Sequence, residues 1–131
     1  MYITPFYAAI LVFLFIFLSL RTLRLRHELQ IPLGDAGNPQ MLRAMRVHSN
    51  FAEYVPLTLL LMLMFESVSA LPGPAHVFGL CLLAGRLSHA YGVGRTSEDY
   101  RFRIFGMAMT FTALAGSAMG LLAVYSLRLP A

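Results

Sequence analysis

The sequence predicts an all-α membrane protein, a four-transmembrane-helix antiparallel bundle forming one domain over residues 1–131. Three observations carry this expectation. Hydrophobic residues make up 58% of the 131-residue chain and charged residues 12%, whereas soluble domains run near ~45–50% and ~25%, so a bilayer is the natural solvent. The apolar residues fall into four long runs separated by short polar segments; a span takes roughly 20 residues, so any activity must lie in the helices or their connections. The arginines gather at the two connections that antiparallel spans place on one side, as positive-inside bias requires.

The first helix is expected over about residues 2–27. Its apolar run, Met1 to Leu20, has no charge before it and Arg21, Arg24, Arg26 and His27 after it. That is the reverse of a secretory signal, so the helix is retained with its basic end in the cytoplasm. Turn formers from Gln30 to Gln40 make an inner loop. A second helix is expected over 40–70, ended by the turn Leu71-Pro72-Gly73-Pro74 in a connection bare of lysine and arginine. A third covers 75–93, followed by a second inner loop with Gly94, Arg95, Thr96, Ser97, Glu98 and Asp99. A fourth covers 100–127 and ends at Pro130, which puts both termini outside, with Arg128 counting against that orientation. Gly106, Ala113, Gly116, Ser117 and Gly120 on this helix allow the close approach that drives packing in lipid.

A net charge of +4 in so apolar a chain points to the positive-inside rule, or to anionic ligands and head groups, and not to nucleic acid. Cys81 lies alone in an apolar run, so no disulfide framework or cysteine-metal site is expected. His27, His48, His76 and His89 include no pair at ligand spacing on a common face, so no metal is expected.

The chemistry concentrates where the second helix begins. Arg43, Arg46, Asn50 and Glu53 are spaced by three, four and three, which at ~100° per residue confines them to one stripe less than a quarter-turn wide. At ~1.5 Å per residue Glu53 lies roughly 18 Å from Phe65, at hydrocarbon depth, where a carboxylate needs a cationic partner or a polar cavity. Arg46, or an arginine of another helix, can supply the partner. The stripe either locks helices together or binds a ligand; two arginines and an asparagine carry more donors than one carboxylate absorbs. On the third helix Arg86 and His89 share a face near the inner end, where an arginine can also snorkel to water. Arg101 and Arg103 open the fourth helix against its macrodipole, which positive-inside bias or a bound anion explains. With Arg24 and Arg26, every helix brings guanidinium groups to one level of the bundle, suited to a small molecule with several carboxylates.

The string from Leu42 to Pro56, with Arg43, Arg46, Asn50, Glu53 and Tyr54, resembles the second-helix signature of the membrane-associated proteins in eicosanoid and glutathione metabolism, the MAPEG family. The resemblance extends to Arg24-x-Arg26, to Gly85-Arg86-x-x-His89 and to the arginine opening helix four, and covers nearly the whole chain. It implies a homotrimer in a bacterial inner membrane, binding glutathione between adjacent subunits near the cytoplasmic face. By position, Arg24, Arg46, Asn50, Glu53 and His89 bind the tripeptide, Glu53 facing its ammonium and the arginines its carboxylates, with Arg43, Tyr54 and Arg86 as further members of the site. An arginine of helix four stabilises the thiolate: Arg103 is the first choice and Arg101 the second. The implied function is a glutathione transferase or peroxidase acting on hydrophobic electrophiles that arrive through the bilayer. The competing expectations are a non-catalytic membrane scaffold or anion-binding protein, and a small multidrug exporter. The exporter is disfavoured because helix one carries no acidic residue within its apolar run.

Overall fold

The computed structural model describes residues 1–69, 72–95, 97 and 99–128, in four α-helices: α1 (Thr4–Leu29), α2 (Pro39–Val68), α3 (Pro72–Val93) and α4 (Tyr100–Arg128). Ala70, Leu71, Thr96, Glu98 and Pro130, expected at helix ends or in loops, lie outside the described residues. α1, α2 and the segment Tyr100–Leu127 of α4 are each long and apolar enough to cross a membrane. Successive helices are antiparallel. The start of α1 meets the end of α2 through Glu66, Phe65 of α2 meets Phe78 of α3, and the end of α3 meets the start of α4 where Ser88 donates to the Phe102 carbonyl.

The helix starts follow from the residues that cap them. The Asn38 side chain accepts from the amides of Gln40 and Met41 at 2.9 and 3.0 Å, and Pro39 takes the first position, where its missing N–H leaves no bond unmade. Asp99 accepts from the amide of Arg101 at 2.9 Å and puts a carboxylate at the positive end of α4. α1 is capped from another helix: the carboxylate of Glu66 accepts from the backbone amides of Ile3 and Thr4. α1 stops at Gln30, in the left-handed conformation (φ 54°), and the amide of Ile31 returns to the Arg26 carbonyl at 3.0 Å.

One expected boundary is corrected. Pro72, Gly73 and Pro74 do not form a turn after α2; they are the first residues of α3. First-turn amides have no intrahelical acceptor, so the prolines cost no hydrogen bond there. Pro56 also lies inside α2 without ending it.

The packing is inverted relative to a soluble bundle. On α1 the buried residues Thr4, Tyr7, Leu11, Leu18 and Leu25 form a narrow stripe at helical spacing, while Phe6, Phe13, Phe17 and Leu23 are exposed. The core is formed by Leu11, Leu18, Val47, Phe51, Val55, Met62, Leu82 and Ala113. α1 is fastened to α2 by a hydrogen bond between Ser19 Oγ and His48 Nε2 (3.0 Å), with Phe15 stacked on the imidazole. α3 and α4 cross at two glycines, where a Cβ on Gly106 would lie 2.7 Å from the Gly85 carbonyl oxygen. Gly116 likewise receives Phe78, and Gly120 receives Phe65. The small residues of α4 therefore do what the sequence led one to expect of them.

Candidate functional site

The stripe on α2 faces a cavity. α1 packs on the opposite side of α2 through Val47, His48 and Phe51, which leaves Arg43, Arg46, Asn50 and Glu53 turned toward α3 and α4. His89 and Val93 of α3 and Arg103 of α4 complete the walls of a space of about 520 Å³, and Leu42 and Ser49 line it too. That volume falls in the ~300–1,000 Å³ range of small-molecule sites. Three guanidinium groups and one carboxylate share the wall, a balance that favours a ligand with more negative than positive groups.

On the single chain the site is open on one side. Arg46 and Glu53 are exposed on the single chain, Arg43 and Asn50 are half-buried, and His89 (5% exposed) and Val93 are sequestered. α3 and α4 cover Arg43 and Asn50 in part, and Arg46 and Glu53 stand at the open edge of the stripe. Among the described residues no ion pair or hydrogen bond joins the side chains of Arg46 and Glu53, and the two stand on the rim of a cavity instead of neutralising each other.

The end of α3 is held by arginines of two other helices. Arg43 of α2 donates to the Val93 carbonyl at 3.4 Å and Arg21 of α1 donates to the Gly94 carbonyl at 2.7 Å. Two guanidinium groups thus satisfy terminal carbonyls at the negative end of the helix dipole and tie three helices together at one level.

Arg86 does not snorkel. It is 2% exposed and stands behind the cavity wall, donating to Asn50 Oδ1 at 2.7 Å and to Thr110 Oγ1 at 2.6 Å. The close crossing at Gly85 and Gly106 seals it from water. Tyr54 is half-buried with its ring edge against Phe111 (centroids 5.5 Å apart), outside the residues that line the cavity. Arg101 lies apart from Arg103, beside an apolar groove of about 420 Å³ with Ser88, Tyr91, Phe102 and Phe105. Arg24 lines a separate hollow of about 250 Å³ on α1 with Phe17, Arg21 and Glu28. Arg26 is taken up by the loop after α1, donating to the carbonyls of Ile31 and Gly34. One chain therefore gathers Arg43, Arg46, Asn50, Glu53, His89 and Arg103 at the cavity, backs them with Arg86 and with Tyr54 near it, and leaves Arg24 and Arg101 elsewhere.

Sequence reasoning missed Ser49, Thr110 and Glu66. Ser49 adjoins Asn50, and Thr110 lies one turn from Gly106, on the face that meets Arg86. Glu66 carried the clearest signal, an acidic residue close after a long apolar run, which requires a partner.

An all-helical membrane protein with a polar, arginine-rich cavity at one level of its bundle is the class these features define, and the chain belongs to the MAPEG family, which it matches over residues 4–123. It is similar to the inner membrane protein YecN of Escherichia coli strain K12, 36% identical over 112 residues, which cover 86% of this chain and 84% of the relative. The YecN protein of E. coli O6:H1 strain CFT073 matches with the same identity and coverage.

Proposed function

We propose that this protein is a glutathione-dependent transferase or peroxidase of a bacterial inner membrane, active as a homotrimer whose subunits each span the bilayer four times. The cavity carries this reading: three arginines, an asparagine, a histidine and one carboxylate converge from three helices on a space of tripeptide size. Glutathione brings two carboxylates, an ammonium and a thiol. Glu53 takes the ammonium, Arg43, Arg46 and Asn50 take carboxylates, and Arg103 faces the sulfur. A guanidinium beside a thiol favours the thiolate and so lowers the thiol pKa.

The open side of the cavity and the separate position of Arg24 both support assembly. A neighbouring subunit laid against α2 would cover Arg46 and Glu53 and bring its own Arg24 hollow to the site. The inner-membrane location follows the E. coli relatives, and the cytoplasmic placement of the cavity, with both termini outside, follows positive-inside bias.

In conjugation the thiolate sulfur bonds to an electrophilic carbon and displaces its leaving group. With a lipid hydroperoxide the sulfur takes the distal oxygen, the alcohol leaves, and a second glutathione reduces the sulfenic acid to disulfide and water. Lipophilic substrates reach the sulfur laterally from the bilayer.

The test is the thiolate absorbance of glutathione on binding to detergent-solubilised protein, followed by conjugation of a generic aryl halide. The thiolate signal should appear with wild type and Arg101→Ala and be lost with Arg103→Ala. Tight binding without thiolate or conjugation would leave a non-catalytic binding protein in place of the enzyme.

A further inference from the structure

Arg86 is a buried cation whose partners are all neutral. Its guanidinium donates to Asn50 Oδ1 (2.7 Å), Thr110 Oγ1 (2.6 Å) and the sulfur of Met107 (3.5 Å), and its Nε has no partner among the described residues. The Thr110 hydroxyl sends its own hydrogen to the Gly106 carbonyl at 2.8 Å, so toward Arg86 it accepts. A charge kept this far from water is costly unless an anion faces it.

Arginine has donors and no acceptor. Asn50 must therefore turn its oxygen to Arg86, which leaves the amide nitrogen as the end directed away from Arg86, for the cavity that Asn50 lines. In an unconstrained asparagine the oxygen and nitrogen exchange places by a simple flip; here the buried guanidinium forbids it. The amide dipole then points its positive end into the cavity and carries the sign of the hidden charge to the surface.

We infer that Arg86 is a positioning residue: by locking the amide of Asn50, it fixes an N–H donor toward the cavity, where a carboxylate accepts a charge-assisted bond and a carboxamide only a weaker neutral one. The inference deepens the glutathione reading and rests on it for the identity of the ligand. The orientation of Asn50 rests on the structure alone.

The decisive variant is Asn50→Asp. It keeps an oxygen for Arg86 and strengthens that contact with a charge, but presents a second carboxylate oxygen to the ligand. Ligand-free Asn50→Asp should melt no lower than wild type, while Asn50→Ala, which strands Arg86, should melt lower. Affinities are then measured for glutathione and for two analogues, one amidated at the glycine carboxylate and one at the γ-glutamyl carboxylate. Wild type should prefer glutathione to both. Asn50→Asp should bind glutathione about 10- to 100-fold more weakly and prefer one of the two amides. Arg86→Gln, whose own amide can donate or accept and so no longer fixes that of Asn50, should bring that acid-to-amide ratio toward unity. A merely structural role would weaken acid and amide alike, and an unchanged ratio in Asn50→Asp would overturn the inference. If wild type bound no glutathione, the proposed function would fall, and the melting comparison would still decide the orientation: a lower melting point for Asn50→Asp refutes it.

Discussion

Replacing Gly106 by alanine tests how the α3–α4 crossing supports the site. A Cβ there would stand 2.7 Å from the Gly85 carbonyl oxygen, 2.7 Å from the His89 amide nitrogen and 2.9 Å from the His89 Cβ. None of these atoms belongs to the end of a flexible side chain, so the helices must part. Restoring a contact of 3.4 Å from 2.7 Å requires a separation of about 0.7 Å, the difference of the two. The same displacement would stretch the 2.6 Å bond from Arg86 to Thr110 beyond 3 Å and move His89 at the cavity wall. Overpacking costs about 1–3 kcal/mol, at the upper end where backbone atoms are the obstacle, and the better helix propensity of alanine returns about 1 kcal/mol, so a net loss of up to about 2 kcal/mol is expected. Gly73→Ala is the control, because a Cβ there meets nothing within 4 Å. In detergent, thermal unfolding should show Gly106→Ala clearly below wild type and Gly73→Ala equal to it or above. Equal melting points for the two variants would refute the close-crossing account.

Three further outcomes follow from particular contacts. Glu66→Gln replaces one of two acceptors for the amides of Ile3 and Thr4 by an NH₂ group, and should cost about 1–3 kcal/mol and speed amide exchange at the start of α1; unchanged exchange would show that the cap is not formed. Arg21→Ala removes the 2.7 Å bond to the Gly94 carbonyl and should destabilise by about 1–2 kcal/mol, a loss that chemical denaturation of detergent-solubilised protein reads directly. Mixing inactive Arg24→Ala subunits with inactive Arg103→Ala subunits should restore part of the conjugation activity if the two arginines meet across a subunit boundary; no recovery would refute a site shared between subunits through Arg24.

Much of the fold was legible because lipid imposes simple rules. Apolar runs long enough to span, turn formers between them, and arginines on alternate connections sufficed for four antiparallel helices. The stripe from Arg43 to Glu53 was legible because helical periodicity alone puts those residues on one face. What periodicity does not say is which face is covered. α1 took the other side of α2, so Arg46 and Glu53 stay exposed on the single chain. Local rules also failed where a residue serves two contexts. Pro72 and Pro74 read as a turn, yet the first turn of a helix accepts proline equally well. Arg86 lies near enough to the inner end to suggest snorkelling, and its burial depends on two glycines 21 residues apart that meet only in the folded bundle.

The central claim is that the cavity between α2, α3 and α4 receives a glutathione molecule, and calorimetric titration of glutathione into the detergent-solubilised protein tests it most directly. Saturable binding that is lost in Arg46→Ala and in Glu53→Gln, with both variants still folded, is the predicted result. A folded wild-type protein that takes up no glutathione, or variants that bind it as well as wild type, would contradict the account.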